Sequence, residues 1–157
     1  MAVKIALGAD HAGFPLKKVL GEHLKAQGYE LLDLGTHSDE ACDYPDYALA
    51  VGEAIKDGLA EIGVVVCGSG VGASVAVNKV PGVRGAICHD TFSAAQGRED
   101  DNTNVLCLGA RVVGVSLALA VLDAFLGARF SGADRHVRRL NKVLAIEKKY
   151  MVSSPSG

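Results

Sequence analysis

The stretch Val64 to Ser74 reads VVVCGSGVGAS: a β-branched run ends in Cys67, three glycines (Gly68, Gly70 and Gly72) follow within five residues, and small residues then open a helix. A strand–loop–helix of this kind turns backbone N–H groups toward whatever rests on the loop. It also sets the thiol in the positive end of the helix dipole, which favours thiolate. Such a thiol serves as a base or a nucleophile. A cysteine phosphatase would need an arginine six residues after the thiol to cradle phosphate; that position is Ala73, and the reading fails. Gly68, Gly70 and Ala73 also satisfy G-x-G-x-x-A after a strand, with Asp90 about 20 residues on, as in a dinucleotide site. Against this, the motif falls on the third strand and leaves little chain for a substrate domain. The bland alternatives are glycines that only permit a tight turn and a cysteine that is only a small buried hydrophobe.

Other chemistry-bearing residues follow apolar runs in the same way. Asp10 and His11 come directly after the first run, between Gly8 and Gly13, Arg111 follows the last, and His89 follows the fourth. In GADRHVRRLNK, Arg135 and Arg139 stand four apart and so share a helix face, where two guanidinium groups can fork onto a phosphate monoester. The alternative is a solvated basic face near a helix end. No His, Cys or carboxylate pair has the local spacing of a zinc or calcium site.

Short apolar runs alternate with longer amphipathic ones, which predicts an α/β fold. Strands are expected over 3–9, 29–34, 62–67, 83–88 and 105–108, and helices over 14–27, 45–57, 71–79, 91–98, 114–126 and 134–149. Five runs, each read as buried on both faces, imply one parallel sheet between helix layers, with ligands bound at the carboxyl ends of its strands. At 157 residues the chain suits one domain, expected over 1–150, with a small polar tail over 151–157 expected to be disordered. Hydrophobic residues make up 49%, charged residues 22%, and the net charge is −2, which gives no field for nucleic acid or an anionic membrane. The apolar run before Asp10 is too short for a signal peptide, and no segment is long enough to span a membrane. A cytoplasmic protein with reduced Cys42, Cys67, Cys88 and Cys107 is expected.

Taken together the motifs resemble one family, the ribose-5-phosphate isomerase B and galactose-6-phosphate isomerase group. The resemblance runs from KIALGADHAGFPLK through DLGTHSDEACDYPDYA, GVVVCGSGVGASVAVNKVPGVRGAIC, TNVLCLGARVVG and DAFLGARFSGADRHVRRL to AIE, nearly the whole chain. The order D-H-A-G-F, D-Y-P, C-G-S-G-V-G makes it specific. It implies a Rossmann-like three-layer sandwich with a five-stranded parallel sheet, without nucleotide, cofactor or metal. It further implies a homodimer or dimer of dimers whose active sites are built between two subunits. The implied reaction is aldose–ketose isomerisation of a sugar phosphate through a cis-enediolate, such as ribose 5-phosphate to ribulose 5-phosphate in the pentose phosphate pathway. By that resemblance Cys67 is the base, Ser69 supports it, backbone N–H groups around Ser69 to Gly72 hold the enediolate oxygens, and Gly68, Gly70, Val71 and Gly72 bind the substrate. Asp10 and His11 line the sugar site, Tyr44 closes its wall, and Arg111, Arg135 and Arg139 bind phosphate.

One departure bears on the substrate. The family commonly reads R-x-H-N-D before T-N-V-L, its histidine helping to open the furanose ring, whereas this chain reads GREDDNTNVL. Asp100 and Asp101 occupy the two positions, Asp100 as a candidate catalytic group and Asp101 as a binding one. An aspartate can accept a proton, and His89 is a second candidate for the task, though a core-edge histidine is its plainer reading. A tetrose 4-phosphate, with its C4 oxygen blocked, cannot form a furanose and needs no ring opening; it stands beside ribose 5-phosphate as a substrate. A non-catalytic sugar-phosphate-binding relative and, more remotely, a dinucleotide module remain the alternatives.

Overall fold

The computed structural model describes residues 3–151. In chain order the elements are β1 (Lys4–Ala9), α1 (Phe14–Ala26), β2 (Glu30–Asp33), α2 (Tyr44–Lys56), β3 (Ile62–Cys67), α3 (Val71–Val77), β4 (Gly85–Ile87), α4 (Thr91–Asp101), β5 (Val105–Gly109), α5 (Val115–Gly127) and α6 (Asp134–Tyr150). The strands form one parallel sheet in the order β2-β1-β3-β5-β4. Side chains alternate across it. Val64 and Val66 join Leu20, Leu122 and Phe125 of α1 and α5, while Val65 and Cys67 join Val51, Ala73 and Val77 of α2 and α3. The α/β/α sandwich expected from the sequence is thus formed, with β1, β3 and β5 buried on both faces.

The edge strands differ from expectation. β2 and β4 are only half buried, because each has a neighbour on one side alone. β4 is also three residues long instead of six. Before it, the Arg84 N–H donates to the Asn104 side chain at 2.7 Å instead of to a strand; after it, the Cys88 N–H reaches the Cys107 carbonyl at only 3.4 Å as the strands part. Helix α3 stops two residues early, where the Asn78 side chain turns to pair with both backbone groups of Gly85 at 2.8 and 2.9 Å. Helix α4 runs three residues longer and ends on Asn102 in the left-handed region, φ 50°.

Helix α6 is the least integrated element. Its contacts with the body are mainly with α4, and His136 is its one buried residue. The imidazole lies between Ser131 Oγ on Nδ1 and Asp100 Oδ1, 3.3 Å from Nε2. Near the far end, Glu147 accepts the Gly82 N–H at 2.7 Å. Val137, Val143, Leu144 and Ile146 stay exposed. Among the described residues no helix is long and apolar enough to cross a membrane. Apart from Met151, the segment 151–157 expected to be disordered lies outside the described residues.

Candidate active site

The chain leaves β1 toward β2 on one side of the sheet and β3 toward β5 on the other, so the crevice of this open sheet falls at the carboxyl ends of β1 and β3. Those ends carry Asp10 and Cys67. The Asp10 N–H donates to the Val66 carbonyl at 3.2 Å, and its Oδ1 accepts the Gly13 N–H at 2.9 Å, so the carboxylate is fixed at the first turn of the β1–α1 connection. Cys67 is 4% exposed, and the Gly70 N–H donates to its Sγ at 3.1 Å. Gly70 reaches that position with φ +80°, a conformation that favours glycine. The helix expected to bear on the thiol is short; what meets the sulfur directly is this one N–H.

The loop is held by β5. Gly109 pairs with Cys67 in the sheet, the Ala110 N–H donates to the Cys67 carbonyl at 2.8 Å, and the Arg111 N–H donates to the Gly68 carbonyl at 3.0 Å. The last bond sets the Arg111 guanidinium over Gly68, where a Cβ would lie 3.1 Å from it. Opposite, Tyr44 opens α2 ahead of Pro45, and its ring rests on Gly72 so closely that a Cβ there would stand 2.7 Å away. Asp10, Tyr44, Cys67, Gly68, Ser69, Gly72 and Arg111, joined by Val112, line a cavity of about 320 Å³. Larger hollows lie along α6 and between α1 and β2, but neither gathers an acid, a thiol and a guanidinium as this one does.

Of the remaining sequence candidates, Gly70 and Val71 sit in the same loop, and the others lie outside the cavity lining. The His11 ring faces Cys42, with Nδ1 3.1 Å from that residue's backbone nitrogen. The Val71 N–H is taken by Ser69 Oγ at 3.2 Å. Asp100 and Asp101 end α4, and Arg135 and Arg139 are exposed on α6; none of the four lines the cavity. Among the described residues Arg111, Arg135 and Arg139 form no ion pair. His89 is engaged as an acceptor, taking the Gly109 N–H on Nε2 at 2.9 Å. Asp90, which a dinucleotide would need, caps α4 through Ser93 and follows edge strand β4, with β5 between it and the glycine loop.

Cys88 and Cys107 contrast with Cys67. Burial, then the Asp90 charge, pushes the Cys88 thiol up to about 11, and deeper burial, then the neighbouring Cys67 and Cys88, pushes Cys107 up to about 12. They are the small core hydrophobes. Sequence reasoning missed Val112, the Cys42 contact and a half-buried ion pair, Lys17 Nζ to Asp33 Oδ1 at 2.6 Å. Lys17 had a signal: it falls on the helical stripe with Leu20, Gly21 and Leu24 that α1 buries.

An open parallel sheet with a thiol and an acid in the crevice at its switch point defines an α/β protein of the kind that binds a small ligand there. A family model described as Ribose/Galactose Isomerase matches residues 5–143. The chain is 45% identical over 146 residues to the ribose-5-phosphate isomerase B of Escherichia coli (strain K12), covering 93% of this chain and 97% of that one. It is 41% identical over 131 residues to the D-erythrulose-4-phosphate isomerase of Pectobacterium atrosepticum, covering 83% and 86%. The solved ribose-5-phosphate isomerase B of Clostridium thermocellum superposes with a TM-score of 0.92 at 49% identity, over 94% of this chain and 99% of that one. The chain belongs to the ribose/galactose isomerase family, and it is an aldose–ketose isomerase.

Proposed function

We propose that the protein interconverts an aldose phosphate and its ketose phosphate by moving a proton between C1 and C2 through a cis-enediolate, with Cys67 as the base. The observation that carries this is the Cys67 sulfur at the wall of the cavity, fixed by the Gly70 N–H and faced by Asp10 and Arg111. As thiolate, Cys67 takes the proton from C2 and returns it to C1 while the O2 hydroxyl proton passes to O1; the Asp10 carboxylate accepts from a sugar hydroxyl. The Gly70 and Val71 N–H groups are engaged by Sγ and Ser69 Oγ, so the Ser69 and Gly72 N–H groups are the loop's donors for the enediolate oxygens. Arg111 gives one cation for phosphate. Arg135 and Arg139 join from a second copy of the chain, which supports a homodimer with shared sites: both are exposed and unpaired, and neither reaches the cavity of its own chain. A cytoplasmic setting fits the four unpaired cysteines.

Ribose 5-phosphate is the first substrate to test, after the relatives named above. A tetrose 4-phosphate is the second, and Asp100 favours it: one carboxylate oxygen is given to His136, at the position where the family's pattern has a histidine. Both sugars are assayed side by side with wild type and Cys67→Ser. Cys67-dependent turnover of either supports the reading, and preference for the tetrose assigns a site relieved of ring opening. Folded wild-type protein that turns over neither, or turns over both equally without Cys67, removes it.

A further inference from the structure

Pairing of β4 with β5 ends at Ile87 and Cys107, and two residues further along β5 the N–H of buried Gly109 has no strand carbonyl on that side. A buried N–H without an acceptor carries its full desolvation penalty. His89 supplies the acceptor, its Nε2 lying 2.9 Å from the Gly109 nitrogen. A backbone N–H can only donate, so this imidazole is neutral at Nε2 and carries its proton on Nδ1.

What Gly109 touches gives this bond its consequence. It pairs with Cys67 in the sheet, and a Cβ on it would lie 2.5 Å from the Ser69 carbonyl group. Gly70 is seated on the same stretch, where a Cβ would lie 3.0 Å from the Leu108 carbonyl carbon and 3.1 Å from the Gly109 nitrogen. Gly70 in turn donates to Cys67 Sγ. We infer that His89 is a positioning residue: its imidazole stands in for the missing strand at Gly109 and so fixes the height of the Ser69–Gly70 loop that holds the Cys67 sulfur. It touches no substrate. Its effect on turnover rests on the reading of Cys67 as the base; its effect on the loop does not.

Leucine fills the space of His89 without accepting a hydrogen bond, while glutamine offers a carbonyl at similar reach. Amide exchange at Gly109 and Gly70, followed by NMR, should speed about tenfold in His89→Leu and return near wild type in His89→Gln. With it, kcat should fall about tenfold in the leucine variant while KM stays within about threefold, and glutamine should restore it. Unchanged Gly70 exchange in His89→Leu overturns the inference whatever the activity does, as does a glutamine variant no better than leucine. So does a loss that falls on KM alone. If His89→Leu does not fold, the wild-type ring decides: nitrogen shifts placing the proton on Nε2 overturn the inference, and on Nδ1 support it. Absence of Cys67-dependent turnover in wild type would sink the reading of Cys67 as the base and leave the exchange result to decide the role of His89.

Discussion

The carboxyl ends of β1 and β3 and the start of α6 both carry candidate site residues, yet they are built in opposite ways. Asp10 and Cys67 grow out of the most buried strands of the sheet, and backbone bonds tie Asp10 to Val66 and the Cys67 loop to Ala110 and Arg111. Arg135 and Arg139 project from a helix whose one buried residue is His136, held by a serine and an aspartate. The first region closes on itself within one chain; on the reading proposed above, the second serves a site in another copy. Groups that must hold a reacting carbon to a fraction of an ångström belong on rigid elements. Groups that neutralise a phosphate tolerate a looser mount.

The largest effect expected is at the rigid end. Cys67→Ser should lower kcat at least about a hundredfold, the scale of a lost general base, with an unchanged circular dichroism spectrum. Cys88→Ala, at a thiol that burial keeps protonated, should leave kcat within about threefold. Similar losses from both would erase the distinction between catalytic and core cysteine.

At the loose end, Arg139→Ala should cut kcat/KM about ten- to a hundredfold, mainly through KM, and leave the melting temperature unchanged because the side chain is exposed. Mixing it with Cys67→Ser sharpens the comparison. If each site draws on two chains, hybrid dimers carry one intact site, and activity should recover to about a quarter of wild type. A mixture no more active than the better parent would place both regions in one chain's site.

How far the sequence foretold these regions follows the same division. The rigid region was legible because its parts are local: a strand run ending in Cys67, glycines beside it, and Asp10 after another strand. Period-2 alternation, which puts Val64 and Val66 on one face and Val65 and Cys67 on the other, made the sheet legible too. Illegible were contacts set by distant chain segments. Nothing local to His89 tells that β5 needs an acceptor there, because that need arises from where β4 stops. The expectation of both faces buried failed for β2 and β4, since strand order, which decides the edges, is not written in any one run. The role of Asp100 was open for a similar reason: its partner, His136, lies 36 residues on and approaches only when α6 docks on α4.

Acid should separate the two regions by a smaller margin. Burial alone would raise the Asp33 pKa, but the Lys17 hydrogen bond, the Gly35 N–H and the charges of Lys17 and His37 outweigh it and hold the carboxyl below its ordinary value. A carboxylate so depressed adds stability that is present above its unfolded value of about 3.9 and is lost as pH falls through the folded one. Gly35 also accepts the Ala9 N–H at 2.8 Å, so this loss is felt at the end of β1. Asp33→Asn, which leaves the Lys17 ammonium buried, should cost about 1–3 kcal/mol in urea unfolding, less than a fully buried pair because Asp33 is half in water. The variant's stability should also change less than wild type's below pH 4. Equal acid sensitivity in both would show that the pair does not brace β1.

The smallest effect tests whether the cavity wall is part of the rigid region or only leans on it. A methyl on Gly72 would press into the Tyr44 ring at 2.7 to 2.9 Å, and rings give way when they have room. Tyr44 is 39% exposed, so it has room. Gly72→Ala should therefore cost under about 1 kcal/mol of stability and raise KM a few-fold as the wall swings outward, with kcat nearly kept. In a Tyr44→Ala background the same methyl meets no ring, and its effect on KM should vanish. That coupling in a double-mutant cycle assigns the effect to the wall. A methyl that lowers kcat equally with and without Tyr44 would instead be disturbing the loop that holds Cys67, and the boundary of the rigid region would move outward to include Gly72.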